Sequence, residues 1–203
     1  MRRNFGPIFL WSVFLTVVFT GSCQRSNPSD GFDVLGPTDE TGAAGEVIKE
    51  ANKDLMEIKM LYKNNEGKRE ELKKALETDD AAAVKRISNE VIDLIDEGTG
   101  YGENAARKIR QAQDMEINED YRDYLKLKEE ALKRQFDAFA NYKLAAESLR
   151  ANYDPKNTQL RDKVKEEFKQ RSENYRTIME EAREYSTRAN ELRKDVITKE
   201  REQ

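Results

Sequence analysis

The stretch YRDYLKLKEEALKRQFDAFANYKLAAESLRANY, residues 121–153, decides the fold. Tyr121, Leu125, Lys128, Leu132, Gln135, Phe139, Tyr142, Ala146, Leu149 and Tyr153 recur in it at alternating steps of four and three. That spacing places all ten on one side of a helix and none of them on one face of a strand. The intervening residues are charged or are good helix formers, and no β-branched residue interrupts them.

Three further stripes have the same rhythm. One runs Ile48, Ala51, Leu55, Ile58, Tyr62, Asn65, Arg69, Leu72, Leu76. A second runs Val84, Ile87, Val91, Leu94, Gly98, Tyr101, Ala105, Lys108, Ala112. The last is Val164, Phe168, Arg171, Tyr175, Ile178, Ala182, Tyr185, Ala189, Leu192, Val196. The gaps between stripes carry helix-start chemistry: Asp79-Asp80, Asn118 before Glu119 and Asp120, and Asp154-Pro155. Short gaps between long amphipathic helices make neighbours antiparallel. The expected fold is therefore all-α, an antiparallel up-down four-helix bundle with long, coiled-coil-like helices over 46–77, 80–113, 119–152 and 155–200.

Two interruptions of the pattern are the candidate sites. Asn65, Arg69, Gln135 and Arg171 are polar residues at core positions, and antiparallel register brings them to nearly one height. One reading is a paired polar layer that sets register, with the arginines reaching the rim on buried stems. The other is a pocket in which Arg69 and Arg171 clamp an anionic or hydrogen-bonding ligand. The segment Gly98-Thr99-Gly100-Tyr101-Gly102 is the second interruption, because each helical glycine costs about 1 kcal/mol relative to alanine. It is expected to bend the helix or admit a neighbouring aromatic ring to bare backbone; the alternative is a ligand-facing notch. No strand precedes it and no lysine follows in the spacing of a phosphate-binding loop.

Composition narrows the chemistry. The 203 residues contain no histidine and one cysteine. Histidine-based nucleophile systems, histidine-containing zinc sites and disulfides are thereby excluded. No cofactor or metal site is expected, and no catalytic constellation stands out. Adjacent acidic pairs such as Glu129-Glu130 point apart on a helix. With 36 basic and 40 acidic residues finely mixed, the chain has no electrostatic footprint for nucleic acid.

The first 23 residues have a different character. Arg2 and Arg3 precede an apolar run from Pro7 to Phe19, and the small residues Thr20, Gly21 and Ser22 lead directly to Cys23. This is the order of a secretory signal peptide, and the run is shorter than the roughly 20 residues of a spanning helix. The segment Thr20-Gly21-Ser22-Cys23 resembles a bacterial lipobox. That resemblance implies removal of residues 1–22 and acylation of Cys23. Gln24 resembles the sorting signal for the outer membrane where a host has two membranes. After removal of the two signal arginines, 34 basic and 40 acidic residues leave a net charge of −6. Residues 23–45, rich in Ser, Asp, Gly and Pro, read as a tether with a span of roughly 25 Å.

Anchor, tether, long helices and absent catalytic groups together point to a membrane-anchored, periplasm-facing envelope lipoprotein. Its helical bundle is expected to bind a protein partner or act as a scaffold or spacer. The alternative function is a small-ligand carrier or sensor using the mid-bundle polar layer. Heptad seams also drive self-association.

Overall fold

The computed structural model describes residues 40–65 and 67–202. The expected signal peptide, Cys23 and most of the expected tether lie outside the described residues. The described chain is all-α and contains no strand: α1 is Thr41–Asn64, α2 Gly67–Glu77, α3 Ala81–Gln113, α4 Glu119–Asn152 and α5 Thr158–Glu202. None of the described helices is long and apolar enough to cross a membrane.

Residue pairings show how the helices run. Asp54 pairs with Lys108 and Lys68 with Glu90, so α1 and α2 descend as α3 rises. Arg110 with Glu129 and Asp96 with Lys143 set α3 against α4 in the same opposed sense. Arg134 with Glu181 and Ser148 with Glu167 do so for α4 and α5.

Small residues set the spacing of these pairs. Ala44 and Ala51 of α1 are buried with Ala105 and Ala112 of α3, each pair seven residues apart. Ala131, Ala138 and Ala145 repeat at the same interval on α4, as do Ala182 and Ala189 on α5. Alanine at every second turn lets backbones approach, and α4–α5 and α1–α3 are accordingly among the closest-packed pairs. The α4 alanines, with Tyr124, form a second stripe beside the one read from the sequence. α4 is thus buried on two sides, against α3 and against α5. Between α5 and the α1–α2 arm, backbone packing is slight, and large aromatic side chains bridge the distance instead.

Three boundaries differ from expectation. The first helix begins at Thr41, so residues 41–45 belong to the bundle and not to a tether. Ala44 is fully buried, and Glu40 and Thr41 bond the α3–α4 turn through Glu116 and Asn118. Gly42 and Gly45 hid the helical rhythm there.

The expected single helix over 46–77 is two. Asn65 ends α1, its side-chain amide donating to the Leu61 carbonyl at 2.9 Å, and Gly67 opens α2. A short polar side chain that bonds its own helix backbone competes with continuation, and glycine offers no propensity to oppose it. The last helix starts at Thr158. Asp154 accepts from the Lys156 N–H across a Pro155 turn, and Asn157, not Asp154, caps the helix through Leu160. The other two caps are as read: Asp80 accepts from Ala83 and Asn118 from Tyr121.

Asp79 ties the α2–α3 turn to the start of α5. Its backbone is left-handed (φ 53°), which aspartate tolerates. Its carboxylate accepts from Tyr153 Oη at 2.6 Å, Lys165 Nζ at 2.7 Å and Arg161 at 3.2 Å. The Lys165 and Tyr153 hydrogen bonds hold this carboxyl below its usual range. A depressed carboxylate contributes stability that is present above the unfolded value, about pH 3.9, and is lost as pH falls through the folded value. Asp79→Ala is therefore expected to lower the urea midpoint at pH 7, with Asp79→Asn intermediate. The gap to wild type should narrow as pH falls below about 4, leaving for Asp79→Ala the part owed to the left-handed backbone. A gap independent of pH would assign the effect to the turn backbone alone.

Candidate functional site

The core has two clusters. One gathers Leu72, Val84, Ile87, Tyr142, Leu149, Val164 and Tyr175 toward the α2–α3 turn. The other gathers Ile48, Ile109, Leu125 and Leu132 toward the α3–α4 turn. Beside their junction, at the break between α1 and α2, is a cavity of about 80 Å³. Ile58, Leu61, Val91, Leu94, Ile95 and Phe139 give it apolar walls. Asn65, Lys68, Arg69, Gly98 and the rings of Tyr62, Tyr142 and Tyr175 complete it.

Arg69 dominates the polar side. Helical side chains lean toward the N-terminus, so Arg69 reaches back over the α1–α2 break. Its guanidinium carbon is 5.3 Å from the Tyr175 ring centroid and 5.7 Å from that of Tyr142. Such stacking is worth about 0.5–1 kcal/mol at an exposed site. The ionisable groups facing it are the hydroxyls of Tyr142, Tyr175 and Tyr62. Burial pushes the Tyr142 hydroxyl up and that of Tyr175 up to about 12, so both are neutral phenols near pH 7. Lys68, by contrast, is neutralised by Glu90 at 2.6 Å and Glu71 at 3.4 Å.

Arg69 also lines a wider groove of about 460 Å³ between α2 and α5, where Leu76 and Phe168 are apolar. Lys73, Lys165, Lys169 and Arg176 line it with Arg69, against Glu77 and Glu173.

Of the four candidate polar-layer residues, Asn65 and Arg69 meet at this cavity, together with Gly98. The other two do not. Arg171 pairs with Glu167 on its own helix at 3.0 Å, and Glu167 also accepts from Ser148 at 2.9 Å. Both bonds hold the Glu167 carboxyl below its usual range. Gln135, half-buried, lies between Arg134, which pairs with Glu181, and Phe136, whose ring packs on Gly102. It is therefore farther toward the α3–α4 end than the cavity. The four residues are thus not gathered around one cavity, since Arg171 is engaged by Glu167 on its own helix and Gln135 lies outside the lining.

The glycine segment neither breaks nor interrupts α3. Gly102 admits an aromatic ring: a Cβ there would be 2.5 Å from Phe136 Cε1. Gly98 and Gly100 meet nothing within 4 Å, and Gly98 is part of the cavity wall.

Lys128 is the residue whose chemistry the stripes understated. It occupies a core position over the Tyr124 ring at 5.8 Å. Burial, and secondarily the charge of Arg193, lowers its amine to about 8. The other stripe lysine, Lys108, is paired with Asp54 at 2.8 Å. Among the described residues, no group of three or more His, Cys, Asp and Glu is placed to hold a metal ion.

Compared with known proteins, the chain matches no family model, no curated sequence and no solved structure.

Proposed function

We propose that this chain is an envelope lipoprotein, acylated at Cys23, whose helical bundle serves as a protein-binding body held off the membrane. The observation that carries the binding role is a concentration of exposed apolar side chains on α1. Met56, Met60 and Tyr62 are 53%, 43% and 42% exposed, and among the described residues only Leu144 is a comparable case. Scattered exposed apolar residues need no explanation, but two adjacent ones on one face of a helix make a patch; Tyr62, two residues after Met60, lies on the other side of α1 and lines the cavity. Met56 and Met60 are one turn apart on the same face, and methionine suits surfaces that adapt to a partner. The anchor rests on the basic, apolar and small-residue order that leads to Cys23. Without histidine, and with its one cysteine in that segment, the chain is proposed to act by binding and not by catalysis.

Two measurements test this. The mature protein is expected to lack residues 1–22, carry acyl mass and partition into membranes, while Cys23→Ser remains uncleaved or is released. An unmodified thiol on a soluble wild-type chain would overturn the anchor. In cells, a photoreactive residue at Met60 should give a discrete adduct that one at exposed Lys85 does not, and Met56→Glu should abolish it. Adducts of equal yield at both positions would overturn the binding face.

A second reading, a small-ligand carrier or sensor, is favoured by the cavity beside Arg69.

A further inference from the structure

The apolar cavity and the cation at its edge form one site whose two halves ask for one kind of molecule. The cavity, at about 80 Å³, is smaller than the roughly 150 Å³ that receives a whole benzene. It suits a compact branched aliphatic group. Its walls are aliphatic or aromatic, so water gains few partners inside and an apolar group displaces little. The polar demand lies on one side only. Arg69 has no carboxylate in ion-pair reach among the described residues, whereas its neighbour Lys68 has two. The rings of Tyr142 and Tyr175 lie within cation–π distance of Arg69, and their neutral hydroxyls supply no negative charge. A guanidinium presents a rigid fork matched to a carboxylate. The groove on its other side adds Lys73, Lys169 and Arg176 against Glu77 and Glu173, while its Lys165 is paired with Asp79.

We propose that this site binds a small branched aliphatic carboxylate, its alkyl end in the cavity between α1, α3 and α4 and its carboxylate on Arg69. The inference rests on the small-ligand reading of the bundle and is independent of lipidation at Cys23 and of the α1 binding face. Asn65, at the end of α1, also lines the cavity. Gly98 contributes by leaving the wall without a side chain, since a Cβ there meets nothing within 4 Å.

The probe is 3-methylbutanoate, titrated into methyl-labelled protein and followed by NMR, with 3-methylbutan-1-ol as its uncharged counterpart. The carboxylate should produce saturable shifts at the methyls of Ile58, Val91 and Ile95, with a Kd on the order of 1 mM for so small a ligand. Arg69→Met should weaken the carboxylate about tenfold or more and leave the alcohol unchanged, since only the charged hydrogen bond is removed. Gly98→Leu, which fills the cavity from a position with room for its Cβ, should abolish both. Circular dichroism of each variant separates lost binding from lost fold. No saturable shift up to about 50 mM, a concentration well above that Kd, overturns the proposal. So does carboxylate binding that survives Arg69→Met undiminished, or shifts confined to methyls away from the cavity. Any of these would leave the acyl-mass and crosslinking results untouched, so the two readings fail separately.

Discussion

A Gly102→Leu variant should lose about 3 kcal/mol of stability, while Gly98→Ala and Gly100→Ala in the same helix should gain up to about 1 kcal/mol. All three glycines carry the same intrinsic helix penalty, so the difference in sign comes from packing. At Gly102 a Cβ would be 2.5 Å and 2.7 Å from Phe136 Cε1 and Cζ, and 3.5 Å from Ile58 Cδ1. Phe136 of α4 and Ile58 of α1 both reach α3 at this level, and a side chain there must displace the Phe136 ring or part the helices. Interiors packed like crystals do not absorb such a displacement cheaply. Gly98 and Gly100 have open space at Cβ, so alanine there removes backbone freedom from the unfolded chain without a clash. Urea denaturation of the three variants checks the signs. Adding Phe136→Leu to Gly102→Leu should recover part of the loss, a coupling expected only of residues in contact. Equal effects at all three positions would show that Phe136 moves freely and that Gly102 is not a packing position.

Replacing Lys128 by methionine should stabilise the protein by roughly 1–3 kcal/mol at pH 7, the order of the desolvation that lowers its amine. The folded amine titrates at about 8, against roughly 10.4 in an unfolded chain. Between those values the unfolded state binds more protons than the folded one, so wild-type stability rises with pH through that window. At pH 7 both states are protonated and the cost of burying the ammonium ion is fully present. The Tyr124 ring recovers part of that cost, and Arg193 adds to it. Methionine keeps the stem and drops the charge, so Lys128→Met should be flat from pH 7 to 9.5 where wild type climbs. Above about pH 10 both should weaken together, because Tyr175, raised to about 12, must then lose its proton preferentially in the unfolded state. A wild-type curve that is flat between pH 7 and 9.5 would mean that the Lys128 amine is in water.

The helices themselves were legible because their signals are local. Val84, Ile87, Val91, Ala105 and Ala112 lie on the stripe read from the sequence, and all are buried in α3. Asp80 and Asn118 cap the helices their positions announced, since a cap needs only its own side chain and the next turn. The stop at Asn65 was also written locally, in Asn64-Asn65-Glu66-Gly67, but the continuing rhythm of Ile58, Tyr62, Asn65 and Arg69 outweighed it. The alanines at 131, 138 and 145 were present as a heptad of their own. Their signal is weak because alanine contributes little to a hydrophobic stripe, although it decides how near two helices come.

The candidate site shows where that local reading ends. Asn65, Arg69 and Gly98 could be named from broken periodicity, and they do line one cavity. Their separation from Gln135 and Arg171 had no local signature. Periodicity is a property of one helix and says which residues share a face. Which face meets which neighbour, and how far apart the backbones stand, depends on side-chain sizes summed across several helices. Alanine seams draw α1 to α3 and α4 to α5, while Tyr142, Phe168 and Tyr175 fill the wider interval toward the α1–α2 arm. The cavity at Arg69 is a consequence of that unequal spacing. Composition and rhythm therefore specify an all-α chain with these helices and caps, and cross-helix packing alone places beside an apolar cavity an arginine that has no carboxylate partner among the described residues.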